Sequence, residues 1–262
     1  ATSTEYSAAL NLLEAAAWNV LIVDTSDTAT HALVAAFIDR IYAAGSNCMA
    51  VLAEPKSVAL ETRIANGAAF NDEKIIYPLN SAYDASGTLY EGYLLAARIG
   101  GMVAAIPSNQ SLTHEVVSGM VSIAEPLTNT DIETALQGGC LVLSVNTAGQ
   151  IWIEQGINTL VTPSGNQDAG WKKIRRVKTR FELIDRVSDT TAPLIGKVNN
   201  DSDGRAAIIA GANGVIKRMI GEKKLLGGTC MEDSSNPAAG DSAWFIIAVD
   251  DIDSIERTYL TF

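Results

Sequence analysis

The chain has 262 residues, enough for one large or two modest domains with a substantial core. Its hydrophobic content of 47% argues against long disorder, and no apolar run reaches the length of a membrane span. A net charge of −11 speaks against general nucleic-acid binding, which draws on a positive face.

Residues 5–17 carry apolar side chains at helical spacing. Residues 19–24 (Asn-Val-Leu-Ile-Val-Asp) form a short β-branched run of the kind found in doubly covered parallel strands. Thr25-Ser26-Asp27-Thr28 offers N-caps for a helix that runs through Ala44 and stops at Gly45. A strand over 48–53, a helix near 56–65 ending at Asn66-Gly67, a strand over 73–77 and a helix over 87–106 follow. Strand and helix in strict alternation imply a parallel α/β sheet.

After Pro107 the pattern changes. Residues 116–124 are strand-like. Thr128-Asn129-Thr130-Asp131 caps a short helix that ends at Gly138-Gly139. Residues 141–145 and 150–154 flank Asn146-Thr147-Ala148-Gly149, a hairpin signal. The polar stretch 162–170 reads as a linker, which divides the chain into 1–162 and 163–262. Helices are expected over 171–187 and 202–226, then a Gly/Ser/Asn/Pro loop over 227–241. Two β-prone runs, 243–249 and 255–262, flank the acidic turn Asp250-Asp251-Ile252-Asp253. The second run alternates along its length. A terminal strand of this kind either closes its own sheet or pairs with the edge of another copy.

Candidate chemistry is sparse. The only histidines are His31 and His114. Asp24 at a strand end followed by His31 on the next helix permits an α/β hydrolase-like reading with an unidentified serine. No Gly-x-Ser-x-Gly elbow accompanies them, and capping by Asp24, Ser26 and Asp27, with His31 as a first-turn polar residue, explains the same residues. Asn199, Asp201, Asp203 and Gly204 match the first half of a calcium loop, but Ala210 stands where a bidentate glutamate belongs, so a helix-capping turn is the simpler reading. Lys172, Lys173, Arg175, Arg176, Lys178 and Arg180 form the densest positive run in an acidic chain. That run is either a solvated helix face or a docking surface for an acidic protein partner. Cys48, Cys140 and Cys230 are odd in number, far apart and without a CxxC pair, which fits reduced, buried thiols in a cytoplasmic fold. No cofactor or metal site is expected.

Several segments, taken in order, carry a family resemblance. They are Gly100 to Leu112, with its helix running into Asn109-Gln110-Ser111-Leu112-Thr113, then Gly156-Ile157-Asn158-Thr159-Leu160, the basic stretch from Lys172, Ile195-Gly196-Lys197-Val198-Asn199-Asn200-Asp201-Ser202-Asp203-Gly204-Arg205, and Val249 to Thr261. This order resembles the contractile tail sheath proteins of bacteriophages and related phage-tail-like injection particles.

The resemblance implies an α/β fold: a subtilisin-like parallel α/β domain, then an α+β sheath C-terminal domain with a terminal β-hairpin. It implies a structural subunit and not an enzyme. Such a subunit stacks with copies of itself as hexameric rings in a helix around an inner tail tube protein. It meets baseplate and tail terminator proteins, contracts, and drives the tube through a cell envelope. The implied location is the virion tail, assembled in the bacterial host cytoplasm, with no nucleic-acid or membrane partner. The chain begins at Ala1 and lacks the N-terminal arm of such proteins, so it reads as a truncated core. On this reading Lys172 to Arg180 grips the inner tube or a neighbouring subunit. Ser254, Ile255, Glu256, Arg257, Thr258, Tyr259, Leu260, Thr261 and Phe262 form a sheet edge completed by another subunit's arm.

Overall fold

The computed structural model describes residues 1–165 and 167–256. By its internal contacts the chain divides into two compact units, Ala1–Val177 and Lys178 onward.

The first unit opens with α1 (Ser3–Leu13), set by a reciprocal Thr2–Glu5 capping box. Next come β1 (Val20–Ile22), α2 (Thr28–Ala43), β2 (Met49–Val51), α3 (Leu60–Phe70) and β3 (Ile75–Ile76). The three strands run parallel in the order β1-β2-β3, with Val20 opposite Met49 and Ala50 opposite Ile75. Asp27 caps α2, as its position before an apolar-periodic run predicts, and Gly45 takes φ +97 just past the end. Thr30, His31, Val34, Phe37, Ile38 and Ile41 repeat at helical spacing, so one stripe of α2 is buried. The Asn66-Gly67 stop expected from the sequence is interior to α3. Gly67 lets the helix approach the sheet: a Cβ there would stand 2.8 Å from the Cys140 Sγ and 2.9 Å from the Tyr77 ring.

The unit continues with β4 (Ala82–Asp84), β5 (Leu89–Tyr90), α4 (Gly92–Ala105), β6 (Met120–Ile123), α5 (Asn129–Gln137), β7 (Leu143–Val145) and β8 (Ile151–Ile153). A small antiparallel sheet has the order β5-β4-β6. Leu141 lies beside Tyr77 to Leu79 in parallel, which extends the β1-β2-β3 sheet by one short position. Strands β7 and β8 form the expected hairpin. The Asn146 side chain accepts from the amides of Ala148 and Gln150, and Gly149 supplies φ +77.

The second unit contains the greater part of α6 (Ile174–Thr191), then α7 (Ser202–Gly221), β9 (Leu225–Glu232) and β10 (Phe245–Asp251). Leu183, Ala212, Val215, Ile216, Met219, Leu225 and Cys230 form its core. The C-terminal hairpin pairs β10 with β9, so a strand occupies the segment expected as helix end and loop. Lys223 turns the chain out of α7 with φ +58. Gly228 lies where a Cβ would stand 2.6 Å from Val249, so glycine here serves close strand approach and not a loop.

Candidate assembly surfaces

The basic stretch is not a solvated face. Lys172 closes a 3-10 turn, Ala169–Lys172, and the other five positive residues follow on Lys173 and α6. Arg175 is buried, and Lys172, Lys173, Arg176, Lys178 and Arg180 are each half-buried. Arg176 lies 3.5 Å from Asp168, and Arg180 lies 3.8 Å from the buried Asp251. Burial pulls the Lys178 ammonium down to about 8, against the opposing charge of Glu182.

Two of the sequence motifs meet. The Thr113 hydroxyl accepts from the Gly156 amide at 3.0 Å, and a Cβ on Gly156 would stand 3.1 Å from Leu112. Next along the chain, the fully buried Asn158 donates to the Trp171 carbonyl at 2.7 Å, while its own amide reaches the Lys172 carbonyl. Thr159 exchanges hydrogen bonds with Asp72, and the Thr159 amide donates to the Ile75 carbonyl. Asn71, in the left-handed region at φ 44, accepts from the amides of Val161 and Thr162. The motif Gly156–Leu160 is therefore a clasp. It ties the approach to α6 onto the parallel sheet with buried, satisfied polar groups.

The hydrolase-like residues do not assemble. The Asp24 carboxylate accepts from the Tyr6 hydroxyl at 2.7 Å. His31 is 1% exposed, and its Nε2 lies 2.8 Å from the Thr25 carbonyl. Burial holds its imidazole below the ordinary value. His31 does lie in the first turn of α2, but not as a solvated polar residue, because position 31 falls on the stripe that packs inward. A different polar set, missed from the sequence, is buried beyond β2 and β3. Glu54 accepts from Tyr77 Oη at 2.6 Å and Asn66 Nδ2 at 2.9 Å. Arg63, 1% exposed, donates to the Leu79 carbonyl and pairs with Glu125. These groups are paired except for the Arg63 Nε, which is buried without a hydrogen-bond partner among the described residues, and the set reads as a structural network.

Asp201 caps α7, its carboxylate accepting from the Gly204 amide at 2.8 Å. A Cβ on Gly204 would lie 1.9 Å from the Asn199 carbonyl oxygen, so the glycine serves a tight capping turn. Among the described residues no group of three His, Cys, Asp or Glu side chains could hold a metal ion. Cys48, Cys140 and Cys230 are buried free thiols, and burial pushes Cys48 up to about 11 and Cys140 up to about 12. Among the described residues no helix is long and apolar enough to cross a membrane.

The hairpin β9–β10 exposes Met231 opposite Ile246, with Leu226 and Trp244 exposed nearby in sequence. Ser254, Ile255 and Glu256 follow without regular structure, Ile255 being 89% exposed. Arg257 to Phe262, the remainder of the expected edge strand, lie outside the described residues.

Comparison with known proteins follows the same lines. Residues 1–159 match the family model described as the phage tail sheath protein central domain. A tail sheath protein of Clostridium phage phiCD119 is 28% identical over 133 residues, which are 51% of this chain and 36% of that protein. The crystal structure of the sheath tail protein from Desulfitobacterium hafniense superposes with a TM-score of 0.79 at 20% identity, covering 96% of this chain and 60% of that one. The cryo-EM structure of the anti-feeding prophage helical sheath in the contracted state gives 0.72 at 12% identity, covering 98% and 73%. The chain thus spans about a third of the phage relative and three-fifths of the crystal structure. Its mixed α/β fold is that of sheath proteins, and with more than half its length under the family model it belongs to the phage tail sheath protein family.

Proposed function

We propose that the chain is part of a structural subunit of a contractile tail sheath, in a bacteriophage or a phage-tail-like particle. The subunit polymerises with copies of itself around an inner tube. On triggering it contracts and drives the tube through the target envelope. It performs no catalysis, and its assembly takes place in the host cytoplasm before it joins the virion or particle. The observation that carries this reading is the sheath family match over residues 1–159, joined to a fold shared along 98% of the chain with a contracted helical sheath.

Assembly would use strand addition. The two-stranded β9–β10 sheet, with Ser254–Phe262 beyond it, would receive a strand from a neighbouring subunit's arm. Main-chain hydrogen bonds hold direction and register, while the linking segments flex as rings move. The half-buried members of the Lys172–Arg180 stretch would contribute a smaller docking role toward the inner tube or a neighbour, repeated at every copy.

Electron microscopy of the purified chain, alone and with its tube protein, tests the reading. Rings or tubes are expected, together with inactivity toward esters and peptides. A protein that remains monomeric with its tube protein present, and hydrolyses esters in a manner lost in His31→Ala, would overturn it.

A further inference from the structure

The two edges of the β9–β10 hairpin are not equivalent. Cys230 of β9 stands opposite Ile247 of β10. The Cys230 amide donates to Asn213 Oδ1 at 2.8 Å, and its carbonyl accepts from Asn213 Nδ2 at 3.4 Å and from the Thr229 hydroxyl at 3.3 Å. Asn213 belongs to α7, so its side-chain amide stands where the peptide group of a further strand would stand. Arg205, about two turns earlier on α7, pairs with Glu232 at 3.0 Å. The register also shifts beside Leu226, between the Asp250–Gly227 and Asp251–Leu225 pairs, which interrupts a straight ladder. A side-chain amide over the backbone, a helix alongside and a bulge together close the outer edge of β9.

The outer edge of β10 has no such cover. The amide and carbonyl of Cys230 point away from β10, so Cys230 and Ile247 form a pair of the non-hydrogen-bonded kind, and Ile247 likewise turns its own groups outward. The alternation puts Phe245 and Val249 in the same state, while the Trp244 carbonyl accepts across the hairpin from the Asp233 amide. Among the described residues no hydrogen bond reaches the outward groups of Phe245, Ile247 or Val249. Neither a charged residue nor a proline interrupts 244–249. The face toward α7 is also unfinished on this side: Ile247 shares it with the buried Cys230 and is still 38% exposed.

We infer that β10, and not β9, is the edge at which a second copy adds a strand, and that Asn213 is the guard that excludes β9. The inference rests on the sheath reading for its premise that copies associate. The occupant is an extended segment, because outward amides and carbonyls recurring at every second residue are matched by the backbone of another strand. The two faces set its chemistry: a β-prone, uncharged run that places an apolar side chain beside Ile247. With β9 closed, addition ends at one strand per hairpin and does not spread into an open sheet running from copy to copy.

Amide hydrogen exchange, quenched and read residue by residue by NMR, tests the assignment. In the monomeric chain the amides of Cys230, Ile246 and Ala248 should exchange slowly and that of Ile247 quickly. Asn213→Ala should speed exchange at Cys230 roughly tenfold or more, and self-association should slow exchange at Ile247 by a similar factor. Ile247→Lys sets a charge on the open edge and should weaken self-association roughly tenfold by sedimentation, with the circular dichroism spectrum unchanged. Slow exchange at Ile247 in the monomer, or a chain that stays monomeric both alone and with its tube protein, would overturn the inference. A Cys230 amide as slow in Asn213→Ala as in the parent would remove Asn213 as the guard. Rings or tubes in which Ile247 still exchanges quickly would overturn the choice of edge and leave the sheath reading standing. Protection of Ile247 in dimers that form neither rings nor tubes would uphold the edge and count against the sheath reading.

Discussion

Replacing Gly67 with alanine sets helix propensity against packing. Alanine gains about 1 kcal/mol over glycine in a helix interior. Here the new methyl would stand 2.8 Å from the Cys140 Sγ and 2.9 Å from the Tyr77 ring. Neither neighbour has room to yield. Both are fully buried, and Tyr77 is held at its hydroxyl by Glu54 and at its carbonyl by the Leu141 amide. Overpacking of this kind costs about 1–3 kcal/mol, and a stretched bond to Glu54 adds about 1 kcal/mol. The expected net loss is about 2 kcal/mol, read from urea denaturation followed by circular dichroism. Adding Cys140→Ala removes one of the two obstructions and should couple favourably by about 1 kcal/mol in a double-mutant cycle. A Gly67→Ala protein as stable as the parent would refute the close approach of α3 to the sheet.

His31→Ala should cost about 1–3 kcal/mol, because it leaves a small void and an unmatched Thr25 carbonyl. The folded imidazole titrates below its unfolded value near 6.5, so the unfolded state binds the proton first. The histidine's contribution is intact above about pH 6.5 and declines as pH falls below it. The stability difference between parent and variant should therefore shrink from pH 7 to pH 5, and a constant difference would count against burial of a neutral histidine. Reversing Lys172, Arg176 and Arg180 to glutamate should lower stability by about 2–4 kcal/mol, since Arg180 faces the buried Asp251 and Arg176 faces Asp168. An unchanged urea midpoint with lost assembly would instead mark the stretch as pure docking surface.

Where local chemistry decided the structure, the sequence was readable. The Asp27 cap, the Thr128–Asp131 capping box and the Asn146–Gly149 turn are each closed by hydrogen bonds within a few residues, and each is found where its residues predict. Legibility failed where a distant neighbour set the outcome. Gly67 looks like a stop but packs against Cys140, remote in sequence. Gly227-Gly228 looks like a loop but pairs with Asp250 and Val249 of β10. The density of charge in 172–180 suggested solvent exposure, yet burial depends on what packs over α6, which spacing alone does not encode. The clasp was visible as a motif, Gly156–Leu160, but its work was not: Asn158 and Thr159 act through partners at Trp171 and Asp72.

The Asn146–Gly149 turn has a practical consequence. Its hydrogen bonds begin and end within residues 146–150, and the loop tip is exposed to solvent. Lengthening a loop costs little entropy when its ends stay paired, and here the ends are held by the ladder from Leu143–Ile153 to Val145–Ile151. An epitope, a fluorophore-binding peptide or a small folded insert placed between Thr147 and Ala148 would hang from the hairpin without entering the core. It would offer a label on the chain that leaves its packed core untouched.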